Sequence, residues 1–255
     1  MTLVFFLFLL HGSLGLMAVL PAVPDRAGAK FFKFCAASSA FMTTAGWWLL
    51  WRRGGGTPAV LWGTGVFLVL TVLYNRAWHF DWKRAQAPLL WAALGAGIAA
   101  VLAADTAGPR AILVATDLTS ALLLGAAAGA MILGHWYLVV LDLPIAALRR
   151  LTVLLVIALA LRTIVVGVVL LGPAHAGLDQ ARAVAAGLWS PDGVFVWMRL
   201  LFGIAGPLSL VWFIWKTVEI RSTQSATGIL YVQLFLVMAG ELLAKYLRMA
   251  AGLPL

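Results

Sequence analysis

Between Leu151 and Leu171 the chain reads LTVLLVIALALRTIVVGVVLL, a run in which Arg162 is the only charged residue. A bilayer core about 30 Å thick needs roughly 20 helical residues to cross it, and this run supplies that length. Lipid is therefore the expected surroundings, and the same reading extends in both directions. Runs of similar character fall near residues 3–20, 34–51, 58–75, 88–104 and 117–142 before it, and near 194–216 and 226–246 after it. The sequence predicts an all-α fold, a polytopic transmembrane helical bundle of about eight spans, forming a single transmembrane domain over residues 1–255.

Composition agrees. Of all residues 64% are apolar and 11% charged, against roughly 25% charged in soluble globular proteins. The longest stretch without a spanning run, residues 172–193, is far shorter than an independent domain. A net charge of +9 would suggest nucleic acid in a soluble protein. Here the lysines and arginines sit mainly in short loops between apolar runs, so they read as topology signals and no nucleic-acid partner is expected. The one cysteine, Cys35, excludes an internal disulfide. Residues 1–20 lack a basic residue before the apolar run and read as a retained first helix.

Punctuation supports the cuts. Pro21 and Pro24 close the first run, Gly54 to Gly56 separate the second and third, Pro88 opens the fourth and Pro144 follows the fifth. The fifth run is long, and Thr116 with Asp117 offers it a helix start. With an even number of spans both termini share a side. The opposite loops carry Arg26, Lys30, Lys33, Arg76, Lys83, Arg84, Arg149, Arg150, Lys216 and Arg221, while the termini side carries Arg52, Arg53, Arg110, Arg182 and Arg248. That bias places both termini outside the cytoplasm in a cell inner membrane. Tryptophans cluster at run ends as an interfacial belt: Trp47, Trp48, Trp51, Trp62, Trp189 and Trp197 outside, Trp78, Trp82, Trp91, Trp212 and Trp215 inside.

Ala121, Gly125 and Gly129 recur on one face of the fifth run, and Gly95 with Gly97 thin the fourth, so close helix contacts are expected there. No internal repeat is evident. Seven ionisable residues fall inside the spans: His11, Asp117, His135, Arg162, Arg199, Glu241 and Lys245. A charge at a helix centre costs about 2.5–3.5 kcal/mol on insertion scales, so each needs a partner or water. Glu241 and Lys245 are four apart, the order that favours an intrahelical ion pair, and Arg199 offers a second cation. The cluster either orients helices or holds a proton-handling carboxylate.

Leu133-Gly134-His135-Trp136-Tyr137 combines an imidazole, a gap beside it and two aromatic rings. This suits a quinone headgroup, the imidazole donating to a carbonyl and the rings packing on its face. A buried histidine bonded to a neighbouring helix is the alternative. Bis-histidine haem b is disfavoured, because His11 and His135 differ in depth by roughly 10–15 Å and His79 and His175 fall in loops. No paired spacing suggests a metal.

Near the C-terminus, Ala239-Gly240-Glu241-Leu242 resembles the final-helix segment of DMSO-reductase membrane anchors, which belong with NrfD-type quinol-interacting subunits; Arg199, early in the preceding span, looks similar too. The resemblance covers the last two helices. It implies a helical bundle without its own redox cofactor that exchanges electrons with quinone beside an iron-sulfur or other redox subunit. His135 has no counterpart in that pattern. The leading expectation is a quinone-interacting membrane subunit, the quinone-reactive part of an oxidoreductase, with Glu241, Arg162 and Arg199 as candidate catalytic residues. Gly134, His135, Trp136 and Tyr137 would bind the ligand, and Asp117, Lys245 and His11 form a further polar cluster. A proton-coupled small-molecule transporter and a non-catalytic assembly subunit are the alternatives.

Overall fold

A computed structural model describes residues 1–104, 110–140, 143–175 and 193–255, for 173–175 the backbone alone. Arg182, Trp189 and residues 141–142 of the fifth run lie outside the described residues. Among the described residues there are eight long helices and no strand. They are α1 (Thr2–Ala18), α2 (Ala29–Arg52), α3 (Pro58–His79), α4 (Lys83–Ala104), α5 (Arg110–Trp136), α6 (Ala146–His175), α7 (Gly193–Glu219) and α8 (Thr223–Ala251). Seven are long and apolar enough to cross a membrane. The other, α2, has the length at 24 residues, but Ser38, Ser39, Thr43 and Thr44 dilute its apolar character. Ser39 and Thr43 turn theirs on α1, where Ser13 Oγ lies 2.6 Å from both Ser39 Oγ and Thr43 Oγ1. The chain is a multi-pass, all-helical membrane protein.

Helix packing closes two groups of four. In the first, α1 touches α2 and α4, and α3 touches α2 and α4; in the second, α5 touches α6 and α8, and α7 touches α6 and α8. The groups join chiefly through α1 against α5, with α1 also touching α8. Small residues permit that central crossing. A Cβ on Gly15 would lie 2.7 Å from the Ala121 carbonyl carbon and 2.8 Å from Gly125 N, and one on Gly129 would lie 2.7 Å from Val19 Cγ2. The stripe of Ala121, Gly125 and Gly129 is thus a helix-contact face. In α4, Gly97 meets Leu14 and Phe67, whereas Gly95 faces open space.

Several helix ends differ from expectation. Residues 110–116 are already helical, so Thr116 and Asp117 do not start α5. Thr116 Oγ1 bonds the C-terminal tail and the Asp117 carboxylate bonds Arg248 of α8, so neither side chain is left to cap. The helix ends at Trp136, well before residue 142, as Tyr137 turns to donate its hydroxyl proton to the Pro144 carbonyl at 2.6 Å. Pro88 lies inside α4, which begins at Lys83; so near the N-terminus the missing N–H leaves a single carbonyl unbonded. His79 and His175 are the last helical residues of α3 and α6 rather than loop residues.

In α7 a π-helical turn, Leu201–Ala205, precedes Pro207. Proline cannot bond the carbonyl four residues back and its ring crowds it, and the wider turn relieves both. Helix α8 ends at Gly252 in the left-handed region, φ 66°, where glycine is free of Cβ strain. The tail then folds back, Thr116 Oγ1 donating to the Pro254 carbonyl at 3.2 Å, and Leu255 is buried.

Candidate functional site

Five helices bring the intramembrane charges together. Glu241 of α8 is fully buried and its two oxygens accept from three helices. Arg162 of α6 meets it with two prongs, Nε to Oε1 at 2.9 Å and Nη2 to Oε2 at 3.0 Å. Arg199 of α7 donates Nη2 to Oε1 at 2.8 Å, and Ser120 of α5 donates its hydroxyl to Oε2 at 2.5 Å. Lys245, one turn along α8, lies 3.5 Å from Oε2 and donates to Ser120 Oγ at 2.7 Å. The intrahelical pair therefore exists, but the two arginines from other helices stand closer. Two-pronged arginine contacts suit such a site because the guanidinium fork matches a carboxylate.

A second carboxylate adjoins. Asp117 Oδ1 accepts from Arg248 Nη1 at 2.6 Å and faces His11 Nε2 at 3.7 Å. Arg248, counted by sequence among the loop charges, is instead a buried member of this network. Arg162 also donates Nη1 to the Thr116 carbonyl at 3.2 Å and Nη2 to the Leu255 carbonyl at 2.8 Å, so the tail seals one side. Between Thr116, Asp117, Ser120, Arg162, Lys245 and Arg248 lies a cavity of about 10 Å³, room for about one water.

The hydrogen bonds fix the donor and acceptor roles. Ser120 has one hydroxyl proton, directed to Glu241, and it accepts from Lys245; the 3.2 Å contact with His11 Nδ1 is then donated by the imidazole. An imidazole protonated at Nδ1 alone turns its Nε2 lone pair toward Asp117 Oδ1, 3.7 Å away. Glu241, by contrast, is fully occupied as an acceptor.

Two glycines make room for Arg199. Its guanidinium lies against Gly203 and Gly240, and a Cβ on Gly203 would come within 2.9 Å of Gly240 Cα, while one on Gly240 would overlap Gly203. The Ala-Gly-Glu segment thus provides both the helix crossing and the carboxylate. Sequence reasoning placed Glu241, Lys245, Arg199, Arg162, Asp117 and His11 in the membrane, and the fold unites all six. It missed Ser120 and Arg248. Arg248 had a signal, since Glu241, Lys245 and Arg248 share one α8 face at helical spacing; Ser120 had none beyond lying near one turn from Asp117.

His135 is elsewhere. It occupies the last turn of α5, at a helix end rather than inside the span, and it is exposed, with Nδ1 3.2 Å from the Tyr231 hydroxyl. The space beside Gly134 is filled by Thr227 and Leu230 of α8. Trp136 donates its indole N–H to the Ala27 carbonyl at 3.0 Å. Tyr137 accepts from Leu148 N at 3.3 Å besides its bond to Pro144, and burial pushes its phenol above the ordinary range. Among the described residues no group of three His, Cys, Asp or Glu side chains could hold a metal ion.

No family model matches the sequence, and neither any curated protein nor any solved structure matches it.

Proposed function

We propose that the protein is the quinone-interacting membrane subunit of a respiratory-type redox complex, exchanging protons within the Glu241 network beside an iron-sulfur or other redox partner. The observation that carries this reading is the buried network itself. Four cations, two carboxylates and a histidine from five helices are held out of water, an arrangement whose desolvation is hard to justify by stability alone. The residues behind the resemblance to quinol-interacting anchors, Arg199 and Glu241, are in direct contact, 2.8 Å apart, which supports treating them as one unit. In this reading Arg162 and Arg199 hold Glu241 as a fixed negative centre, and the His11–Asp117 gap carries the exchangeable proton. His135, exposed at a helix end, is the assigned headgroup contact for a quinone in the adjoining leaflet. Both termini lie outside the cytoplasm, in the inner membrane.

The test is purification in mild detergent, quinone extraction and an absorption spectrum, followed by quinol-linked turnover of Asp117→Asn. Bound quinone without a haem Soret band is expected. Asp117→Asn should slow turnover about 100-fold, the usual scale of a lost proton-transfer group. Absence of quinone and of a redox partner would move the assignment to proton-coupled transport or assembly.

A further inference from the structure

At the opposite end of the bundle from the Glu241 network, the basic loops meet. Asn75 Nδ2 donates to the Lys33 carbonyl at 2.8 Å, joining the end of α3 to the start of α2. The bond from Trp136 to Ala27 joins the end of α5 to the turn after α1. At this end a groove of about 510 Å³ opens outward, lined by Ala22, Ala146, Arg149, Arg150, Val153 and Leu154. Its walls are apolar except for the two arginines. Both are exposed, and among the described residues neither forms an ion pair. Arg149 lies over the Trp215 ring of α7, 5.5 Å from its centre, which holds the guanidinium at the groove. The nearby carboxylate of Glu219 is engaged by Lys216 at 2.9 Å.

We propose that this groove is a binding site for one anionic phospholipid, its phosphate held by Arg149 and Arg150 and its glycerol and first acyl carbons lying along Ala146, Val153 and Leu154. The shape matches the occupant. From Ala146 to Leu154 the helix rises about 12 Å, so the groove begins at headgroup level, where α6 starts, and descends into the hydrocarbon. A neutral ligand would leave Arg150 without counter-charge and Arg149 with only the Glu219 carboxylate that it shares with Lys216, and a soluble anion would leave the apolar wall uncovered. An anionic lipid satisfies both, as basic pockets between transmembrane helices do elsewhere. The site is independent of the quinone reading, because no residue of the Glu241 network lines it.

Native mass spectrometry of the delipidated protein, titrated with phosphatidylglycerol or phosphatidylcholine of identical chains, tests the proposal. One tightly retained phosphatidylglycerol is expected, with phosphatidylcholine much weaker. The Arg149→Gln/Arg150→Gln variant should lose phosphatidylglycerol affinity about 30-fold, on the scale of two surface arginines, whereas Arg52→Gln/Arg53→Gln at the other end should not. Ala146→Trp, which fills the groove and keeps both charges, should also weaken retention. Equal retention of the two lipids, an undiminished double variant, or displacement of the lipid by millimolar inorganic phosphate would overturn it.

Discussion

Arg162 and Glu241, 79 residues apart in sequence, form a two-pronged ion pair across α6 and α8 with neither side chain more than 1% exposed. Removing one member of a buried pair strands the other, which costs about 3–5 kcal/mol. Glu241→Gln, which strands Arg162 and Arg199 together, should lose that much stability, and Arg162→Gln, which leaves Glu241 with Arg199 and Lys245, should lose less, both measured by denaturant unfolding in detergent. The double variant should lose less than the sum, because Arg162 and Glu241 no longer strand each other, although Arg199 still lacks its carboxylate. Single variants within about 0.5 kcal/mol of the parent would show the network to be dispensable for folding.

Gly240 and Gly203 set the approach of α7 to α8. Gly240→Ala should destabilise by about 3 kcal/mol, the upper range for overpacking, since the new methyl meets backbone and the Arg199 guanidinium. Gly228→Ala, on the same helix with open space around it, should be neutral or stabilising by up to about 1 kcal/mol through helix propensity. Thermal unfolding of the two variants side by side checks the contrast; equal melting temperatures would remove the close crossing.

Exposed His135 should tolerate truncation. His135→Ala is expected to leave stability within about 0.5 kcal/mol and to weaken quinone affinity about three- to tenfold, the worth of one hydrogen bond. His11→Ala takes a donor from Ser120 and should act on stability instead. Quinone titration of both variants decides the matter: unchanged affinity in His135→Ala would end its ligand role.

Orientation is open to a direct assay. A cysteine introduced at Lys83, the first residue of α4, should be shielded from an impermeant thiol reagent in intact cells and labelled after the membrane is broken. Labelling in intact cells would place the basic loops outside.

Apolar run length is a local property, so helix number and much of the punctuation could be read directly. Thr57 shows the good case: it accepts from Val60 N ahead of Pro58, and the helix starts there as capping rules require. The fifth helix shows the other. Asp117 looks like a cap, yet its carboxylate is bonded to Arg248 from α8, a partner that only folding supplies.

For the site, sequence determined that Glu241, Lys245, Arg162, Arg199, Asp117 and His11 lie within apolar segments, because the transfer penalty for a charge depends on its neighbours along the chain. Which charges pair was decided by tertiary structure. Helix spacing points Glu241 at Lys245, but Gly203 and Gly240 let α7 close on α8, and Gly15 with Gly125 brings α1 onto α5, so arginines and a histidine from other helices reach the same centre. His135 went the other way: its neighbours suggested an internal pocket, and the early end of α5 put it at the surface. Periodicity fixes the face a residue occupies on its own helix; which helix meets that face depends on how closely two backbones can approach.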